Sequence, residues 1–269
     1  MLHWRVLEST TRVYVFDLDG VLYRGEEVVE EAAEALAALR ARPSAPLVFF
    51  LTNNSSQPRR VYQEKLTRLG MPCTEDEIVT SASATAAYIV ETLHAKPESV
   101  VLAVGGPGIA DEMSRVGLTV LRSADADPET VRADFVVAGM DRQFNYHTLH
   151  VAQQAILRGA AFIATNRDGQ YPIENGKVTP GGGAMVAAIA ACTDTEPIVI
   201  GKPEPLGLQT ILHRANARPE QAVMIGDRLD TDILCGNRLG VPTILVLTGV
   251  TSESKIADAP PEMKPGKVI

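Results

Sequence analysis

Short apolar runs alternate with longer amphipathic stretches along most of this 269-residue chain. The runs are rich in β-branched and aromatic residues, as buried strands are, whereas the stretches between them carry alanine and leucine at helical spacing, as at Ala32, Leu36 and Leu39. This alternation predicts an α/β fold in which helices flank a mostly parallel sheet. Strands are predicted at 12–16, 46–51, 100–104, 119–121, 135–138, 161–164, 197–200, 222–225 and 243–247, and helices at 28–41, 57–69, 81–93, 109–115, 147–158, 184–191, 205–215 and 232–239.

The order of these elements predicts two domains. From about Ser99 a second series of strands and helices begins, and from Pro197 the rhythm of the amino-terminal part resumes. No internal repeat and no low-complexity linker separates the two series. We therefore expect a discontinuous core at 1–80 and 197–269, interrupted by an inserted domain at 81–196.

The composition favours an ordinary soluble protein of the cytoplasm. A formal net charge of −8 argues against a nucleic-acid partner, and no apolar stretch approaches the length of a membrane span. The first eleven residues lack the apolar centre of an export signal. Cys73, Cys192 and Cys235 are widely spaced and odd in number, so we expect free thiols in a reducing compartment.

Two carboxylates follow the first predicted strand, in the segment Asp17-Leu18-Asp19-Gly20. The carboxyl ends of strands are where open α/β sheets place their ligands. Two acidic side chains so close together repel each other unless a cation or a shared proton compensates. The pair therefore indicates a Mg²⁺ site in which one aspartate is free to attack a substrate, and the alternative is a simple turn, since Asp and Gly both favour turns.

Polar clusters also follow three other strands that we predict for the core. They are Thr52-Asn53-Asn54, Gly201-Lys202-Pro203 and Gly226-Asp227-Arg228 with Asp232 four residues further on. Together they offer neutral donors for phosphate oxygens, one ammonium group and a further carboxylate for a hard cation. Each has an ordinary alternative, because Thr52 and Asp227 could cap helices and Lys202 could be a solvated loop residue. Their joint occurrence at strand ends favours a phosphate and metal site.

These segments resemble the four motifs of the haloacid-dehalogenase-type hydrolase superfamily, and the resemblance covers nearly the whole chain. The large insertion between the second and third motifs is similar to the class IIA branch, as are the stretches 164–168 and 180–183. The resemblance implies a Rossmann-like parallel-sheet core with an inserted α/β cap domain of the C2 type. It also implies a Mg²⁺-dependent phosphomonoesterase that acts on small phosphorylated metabolites.

The resemblance assigns the two aspartates after the first strand to different roles. Asp17 is expected to take the phosphoryl group as an aspartyl-phosphate, and Asp19 to protonate the leaving oxygen and then activate water. Mg²⁺ is expected between the Asp17 carboxylate, the Asp19 backbone carbonyl and Asp227. Asp232 is expected to lie behind these ligands and to orient a water on the metal.

The remaining motif residues are expected to bind the phosphoryl oxygens. They are Thr52, Asn53, Asn54 and Lys202. In this family the cap chooses the substrate, and the loop from Arg167 to Pro172 is the candidate region. Tyr171 stands where the pyridoxal-phosphate branch has a histidine. This difference makes pyridoxal phosphate a less favoured substrate but does not indicate another. Arg167 is a candidate for a substrate carboxylate or second phosphate, with a surface arginine as the alternative.

The expected reaction is that of a nitrophenyl phosphatase or phosphoglycolate phosphatase. Nucleoside monophosphates, sugar phosphates and pyridoxal phosphate are alternative substrates. A phosphotransferase or phosphomutase would use the same aspartyl-phosphate, and a non-catalytic phospho-receiver also gathers acidic residues, a threonine and a lysine at strand ends. A receiver is disfavoured because it is about half this length and lacks a cap. The resemblance also allows a homodimer formed through the cap.

Overall fold

The computed structural model describes residues 11–172 and 177–269. The predicted core segment 1–80 and the predicted inserted domain 81–196 therefore extend in part outside the described residues. The strands are β1 (Val13–Phe16), β2 (Tyr23–Arg24), β3 (Glu27–Val28), β4 (Leu47–Thr52), β5 (Ile78–Thr80), β6 (Val100–Val104), β7 (Thr119–Arg122), β8 (Phe135–Ala138), β9 (Ala161–Ala164), β10 (Gln170–Pro172), β11 (Val178–Pro180), β12 (Ile198–Val199), β13 (Ala222–Gly226), β14 (Thr243–Leu245) and β15 (Lys267–Val268).

Helices alternate with these strands, which confirms the predicted α/β class. They are α1 (Ala32–Arg40), α2 (Arg59–Arg68), α3 (Ser81–Ala87), α4 (Pro107–Arg115), α5 (Tyr146–Leu157), α6 (Gly182–Thr193), α7 (Leu206–Arg214), α8 (Leu234–Leu239) and α9 (Glu253–Ala257). π-helical turns occur at Tyr88–Thr92 and Leu229–Ile233. None of the described helices is long and apolar enough to cross a membrane.

The chain forms two compact units, and the first contains the described residues up to Thr52 together with Arg60–Val79 and Lys202–Ile269. Its sheet has the strand order β15-β14-β13-β1-β4-β5. The central strand β1 pairs in parallel with β13 and with β4, and all four of its residues are buried. Burial on both faces explains why this strand is a continuous apolar run rather than an alternating one.

The second unit comprises Asn53–Arg59 and Thr80–Gly201. Its parallel sheet has the order β12-β9-β8-β6-β7. Helices α5 and α6 pack on this sheet through a separate apolar core that includes Val151, Ala155 and Ile189. The antiparallel hairpin β10–β11 leads from the sheet towards α6. The strands of this unit, which have their own sheet and their own apolar core, are those of the second series in the sequence.

One predicted strand joins a different sheet from the one expected. The sequence assigned 197–200 to the core, but Ile198 and Val199 pair with Ile163 and Ala164 at the edge of the second sheet. That prediction was wrong because a two-residue apolar edge strand fits either parallel sheet, and its pattern does not say which. The segment 53–59, which the sequence also assigned to the core, lies in the second unit.

Candidate active site

Three polar residues of the first unit lie at or just beyond the carboxyl ends of neighbouring strands. Asp17 follows β1, Thr52 ends β4 and Asp227 follows β13. The register pairs Phe16 with Phe50 and with Ile225, so the three strands end at the same edge of the sheet. The backbone N–H of Asp17 donates to the carbonyl of Ile225 at 2.8 Å, which extends the β1–β13 pairing up to the site. This is the edge where parallel sheets bind ligands.

Lys202 occupies the centre of the site. Its Nζ donates to Asp17 Oδ1 at 2.6 Å, to Asp232 Oδ1 at 2.6 Å and to the carbonyl of Leu51 at 3.0 Å. The lysine is 4% exposed, which excludes the solvated-loop alternative. Burial by itself lowers the pKa of this ammonium, but the carboxylates of Asp17 and Asp232 outweigh burial and hold the pKa above its usual value.

Lys202 does not follow a core strand, as the sequence had suggested. It comes shortly after β12, an edge strand of the second sheet, and the Lys202–Pro203 peptide is cis. The lysine reaches Asp17 although the two residues are 185 positions apart in sequence. The predicted position of Lys202 after a core strand was therefore wrong, although its ammonium group lies beside the Asp17 carboxylate.

Asp232 lies on the π-helical turn Leu229–Ile233 and is fully buried. One carboxylate oxygen receives the Lys202 ammonium, and the other accepts the backbone N–H of Arg228 at 3.1 Å. A side chain at Gly226 would clash with Asp232, which explains the glycine at that position. Sequence reasoning named Asp232 but missed the Lys202–Asp232 pair, because no local pattern links the two residues.

Asp227 is buried with one carboxylate oxygen left unsatisfied. Its Oδ2 accepts the backbone N–H of Val250 at 2.7 Å, whereas Oδ1 has no hydrogen-bond partner among the described residues. A Cβ at Gly20 would lie 2.6 Å from Oδ2, and one at Gly249 would clash with the same atom. Burial, followed by the charge of Asp232, raises the pKa of Asp227 to about 6. A buried carboxylate oxygen without a partner raises the free energy of the folded protein, so this atom indicates a bound cation.

The carboxylates of this cluster fit a divalent metal ion. One carboxylate oxygen each of Asp17, Asp227 and Asp232 lies within 4.8 Å of the others. Three carboxyl groups share the single ammonium group of Lys202, so full ionisation would leave the cluster with two unbalanced negative charges. Mg²⁺ prefers hard oxygen ligands, and its charge would balance the cluster. The residues present therefore fit the predicted Mg²⁺, with the unpartnered Asp227 oxygen as the observation that supports it.

Asp19 lies two residues beyond Asp17 in a tight turn. Gly20 adopts a φ of +84°, a conformation that favours glycine, and its N–H donates to the carbonyl of Tyr23 at 2.8 Å. Burial raises the pKa of the Asp19 carboxyl, although the charges of Lys65 and Lys202 oppose it. A raised pKa favours the protonated form that a general acid needs. The sequence did not indicate the contribution of Lys65.

Asn53 and Asn54 belong to the second unit and are held by its side chains. Asn53 Nδ2 donates to Asp168 Oδ2 at 3.0 Å, and Asn54 Nδ2 donates to the Tyr171 hydroxyl at 3.3 Å. The Asn54 side-chain carbonyl accepts the backbone N–H of Ser56 at 3.0 Å. The loop that the sequence singled out for substrate choice therefore contacts the segment it singled out for phosphate binding.

The surroundings of Arg167, of two glycines at the start of α4 and of Cys235 explain these residues in structural terms. Arg167 pairs with Glu196 on the surface, which supports its surface alternative. Side chains at Gly106 and Gly108 would clash with the carbonyls of Ser56 and Gln57, so these glycines allow α4 to pack against segment 53–59. Burial raises the pKa of Cys235 to about 12, which leaves its thiol protonated and unreactive.

We expect the stabilisation of this protein by Mg²⁺ to grow as the pH rises through about 6. Without metal, the raised pKa of Asp227 stabilises the folded protein at acid pH, and that contribution is lost as the pH rises through about 6. Mg²⁺ takes the ionised carboxylate, so the increase in melting temperature on adding excess MgCl₂ should be larger near pH ~7.5 than near pH ~5. Thermal unfolding in EDTA and in MgCl₂ measures this difference.

The control is Asp227→Asn, in which the part of the Mg²⁺ effect that follows ionisation near pH 6 should disappear. An increase in melting temperature that is the same at both pH values in the unmodified protein would contradict the assignment of Asp227 as a metal ligand.

Comparisons with known proteins find phosphatases among the relatives of this chain. A family model described as haloacid dehalogenase-like hydrolase matches residues 14–119, and one described as HAD-hydrolase-like matches residues 199–269. Phosphoglycolate phosphatase 2 of Arabidopsis thaliana is 34% identical over 278 residues, covering 98% of this chain and 91% of the relative. The solved structure of glycerol phosphate phosphatase from Mycobacterium tuberculosis in complex with magnesium has a TM-score of 0.85 at 33% identity. The match covers 97% of this chain and 74% of the Mycobacterium tuberculosis chain. The 4-nitrophenylphosphatase from Thermotoga maritima has a TM-score of 0.85 at 30% identity, covering 97% and 94% of the two chains.

Proposed function

The chain belongs to the haloacid dehalogenase-like hydrolases, and from this membership we propose how its residues hydrolyse a phosphate monoester. It is a Mg²⁺-dependent phosphatase of the class IIA branch that acts through an aspartyl-phosphate. The observation that carries the residue assignments is the buried cluster in which Lys202 joins Asp17 to Asp232 beside the unpartnered Asp227 oxygen.

Asp17 is the nucleophile in this proposal. One of its carboxylate oxygens bonds to phosphorus while the bond from phosphorus to the ester oxygen breaks, and Asp19 gives its proton to that leaving oxygen. Lys202 fixes the Asp17 carboxylate through Oδ1, so the attacking group is held in one orientation before the substrate arrives. Asp232 fixes Lys202 in turn.

The second half of the reaction regenerates Asp17. Asp19, now ionised, takes a proton from water, the water oxygen bonds to phosphorus, and the bond between phosphorus and Asp17 breaks to release inorganic phosphate. Mg²⁺ bound by Asp17, Asp227 and the backbone carbonyl of Asp19 would supply positive charge against the anionic phosphoryl group. Thr52, Asn53, Asn54 and Lys202 are proposed to contact its oxygens.

The second unit is proposed to act as a cap that excludes water and selects the substrate. Small phosphorylated metabolites are the proposed substrates, with phosphoglycolate and nitrophenyl phosphate first. Relatives of this chain carry the names phosphoglycolate phosphatase, glycerol-3-phosphate phosphatase and acid sugar phosphatase, and this variety supports a small phosphorylated metabolite without indicating which one. The proposed location is the cytoplasm, and a homodimer through the cap remains part of the proposal.

Release of inorganic phosphate tests the reaction type. With excess Mg²⁺ and p-nitrophenyl phosphate, we expect phosphate and nitrophenol to appear in equal amounts without any acceptor other than water, and EDTA to stop the reaction. Activity that requires an added sugar or alcohol would instead support a phosphotransferase. Phosphoglycolate, nucleoside monophosphates, sugar phosphates and pyridoxal phosphate, ranked by kcat/KM, would then identify the preferred substrate.

A further inference from the structure

The segment that follows Thr52 is built into the second unit. Ser55 Oγ lies 3.0 Å from Thr165 Oγ1 in a buried hydrogen bond. Arg59 forms an ion pair with Glu112 at 2.7 Å, and both side chains are largely buried. Together with the close packing of Ser56 and Gln57 on the glycines of α4, these contacts fix residues 53–59 in the frame of the second unit.

The main-chain carbonyl of Asn53 receives two side-chain donors. Ser81 Oγ, at the start of α3, donates to it at 2.6 Å, and Asn166 Nδ2, just after β9, donates at 2.8 Å. Ser81 and Asn166 are both buried. Asn166 is itself held, because its Oδ1 accepts the backbone N–H of Asp168 at 3.1 Å. Two buried side chains from different elements therefore converge on one peptide oxygen.

This arrangement determines the direction of a backbone donor. In a trans peptide the carbonyl and the following N–H point in opposite directions, so donors on the Asn53 oxygen fix where the Asn54 N–H points. Hydrogen bonds to a carbonyl also polarise the peptide and make its N–H a stronger donor. The side chain of Asn53 is oriented as well, by Asp168 on its Nδ2 and by the close approach of Gly201, where a Cβ would lie 2.7 Å from Asn53 Oδ1.

We propose that Ser81 and Asn166 are positioning residues that orient and polarise the Asn54 N–H for a phosphoryl oxygen. The proposal rests on the proposed function, since it takes the 52–54 segment to be the phosphate-binding loop. A donor that is already oriented needs no reorganisation when charge develops on the transferring group, so its loss should lower kcat more than it raises KM. Neither side chain needs to touch the substrate for this effect.

The test uses the full-length, ¹⁵N-labelled enzyme with Mg²⁺ and two readouts, the Asn54 amide resonance and the hydrolysis of p-nitrophenyl phosphate. Ser81→Ala should move the Asn54 amide proton upfield and reduce its response to added inorganic phosphate. The same variant should lower kcat about tenfold, because the net free energy of one ordinary hydrogen bond corresponds to about that factor in rate. Ser81→Thr, which keeps the hydroxyl, should restore both readouts.

Asn166→Asp and Ser83→Ala complete the design. Asn166→Asp keeps the side-chain volume and an oxygen that can accept the backbone N–H of Asp168. It removes the amide group that donates to the Asn53 carbonyl, so it should reproduce the effect of Ser81→Ala. Ser83 is buried in the same helix turn as Ser81, and its hydroxyl accepts the backbone N–H of Thr80 and donates to the Thr80 carbonyl, so Ser83→Ala controls for loosening of α3.

The outcomes separate the two proposals. If Ser81→Ala and Asn166→Asp match Ser83→Ala in both readouts, the positioning role is wrong. An Asn54 resonance that does not respond to phosphate in the unmodified enzyme also overturns it. An unmodified enzyme whose Asn54 resonance responds as expected, but which releases no phosphate from esters, would refute the proposed function and leave the positioning of a phosphate donor intact.

Discussion

Replacing Asp17 by asparagine should abolish turnover while leaving the protein folded. The amide keeps the shape of the carboxylate but cannot form the acyl phosphate, so kcat should fall by at least about 10⁴-fold. Burial already raises the pKa of the Asp17 carboxyl, and Lys202 keeps Asp232 and the Leu51 carbonyl as partners in the variant. The free energy of unfolding without metal should therefore change by no more than about 1 kcal/mol.

Asp230→Asn is the matched control for Asp17→Asn. Asp230 lies close to Asp227 in sequence, but its carboxylate is largely exposed and pairs with Arg228. The same chemical change there should leave kcat within about twofold of the unmodified enzyme, because an exposed ion pair contributes little. Initial rates with p-nitrophenyl phosphate and circular dichroism of each variant provide the measurements. Turnover by Asp17→Asn at the unmodified rate would remove Asp17 as the nucleophile.

Replacing Lys202 by alanine should cost both activity and stability. The change leaves Asp17 and Asp232 facing each other in a buried site without their shared ammonium. Removing one partner of a buried ion pair typically destabilises a protein by about 3–5 kcal/mol. Activity should fall about 10³-fold, since a preorganised charge on the transferring group is lost as well. Urea unfolding and kcat measure the two effects, and inhibition by inorganic phosphate should weaken.

A double variant separates the two effects of Lys202. Lys202→Met with Asp232→Asn removes one charge of each sign and keeps similar volumes, so much of the lost stability should return. Activity should stay low, because the positive charge beside Asp17 is still absent. Lys255→Ala, at an exposed position, controls for loss of any lysine. A Lys202→Ala variant that unfolds and binds phosphate as the unmodified protein does would show that the lysine serves neither purpose.

Much of the fold could be predicted from the sequence, because buried strands and buried helix faces have a recognisable local pattern of apolar residues. The strand Val13–Phe16 is apolar throughout since it lies at the centre of a sheet covered on both faces, and α1 carries Ala32, Leu36 and Leu39 on its buried side. The placement of Ile198–Val199 failed for the converse reason. A very short edge strand has too few residues to carry a signal that distinguishes one parallel sheet from another.

The sequence by itself determined the chemistry available to this protein. It placed Asp17, Thr52 and Asp227 at the ends of strands that turned out to be neighbours, because parallel strands bring their carboxyl ends to one edge. Only the tertiary structure decided which groups meet. Contacts between distant parts of the chain join Lys202 to Asp17 and Asp232 and hold the carbonyl of Asn53 between Ser81 and Asn166. They also leave one oxygen of Asp227 without a hydrogen-bond partner in the part of the chain that the structure describes. Such contacts follow from packing and topology, which leave no pattern in the residues on either side.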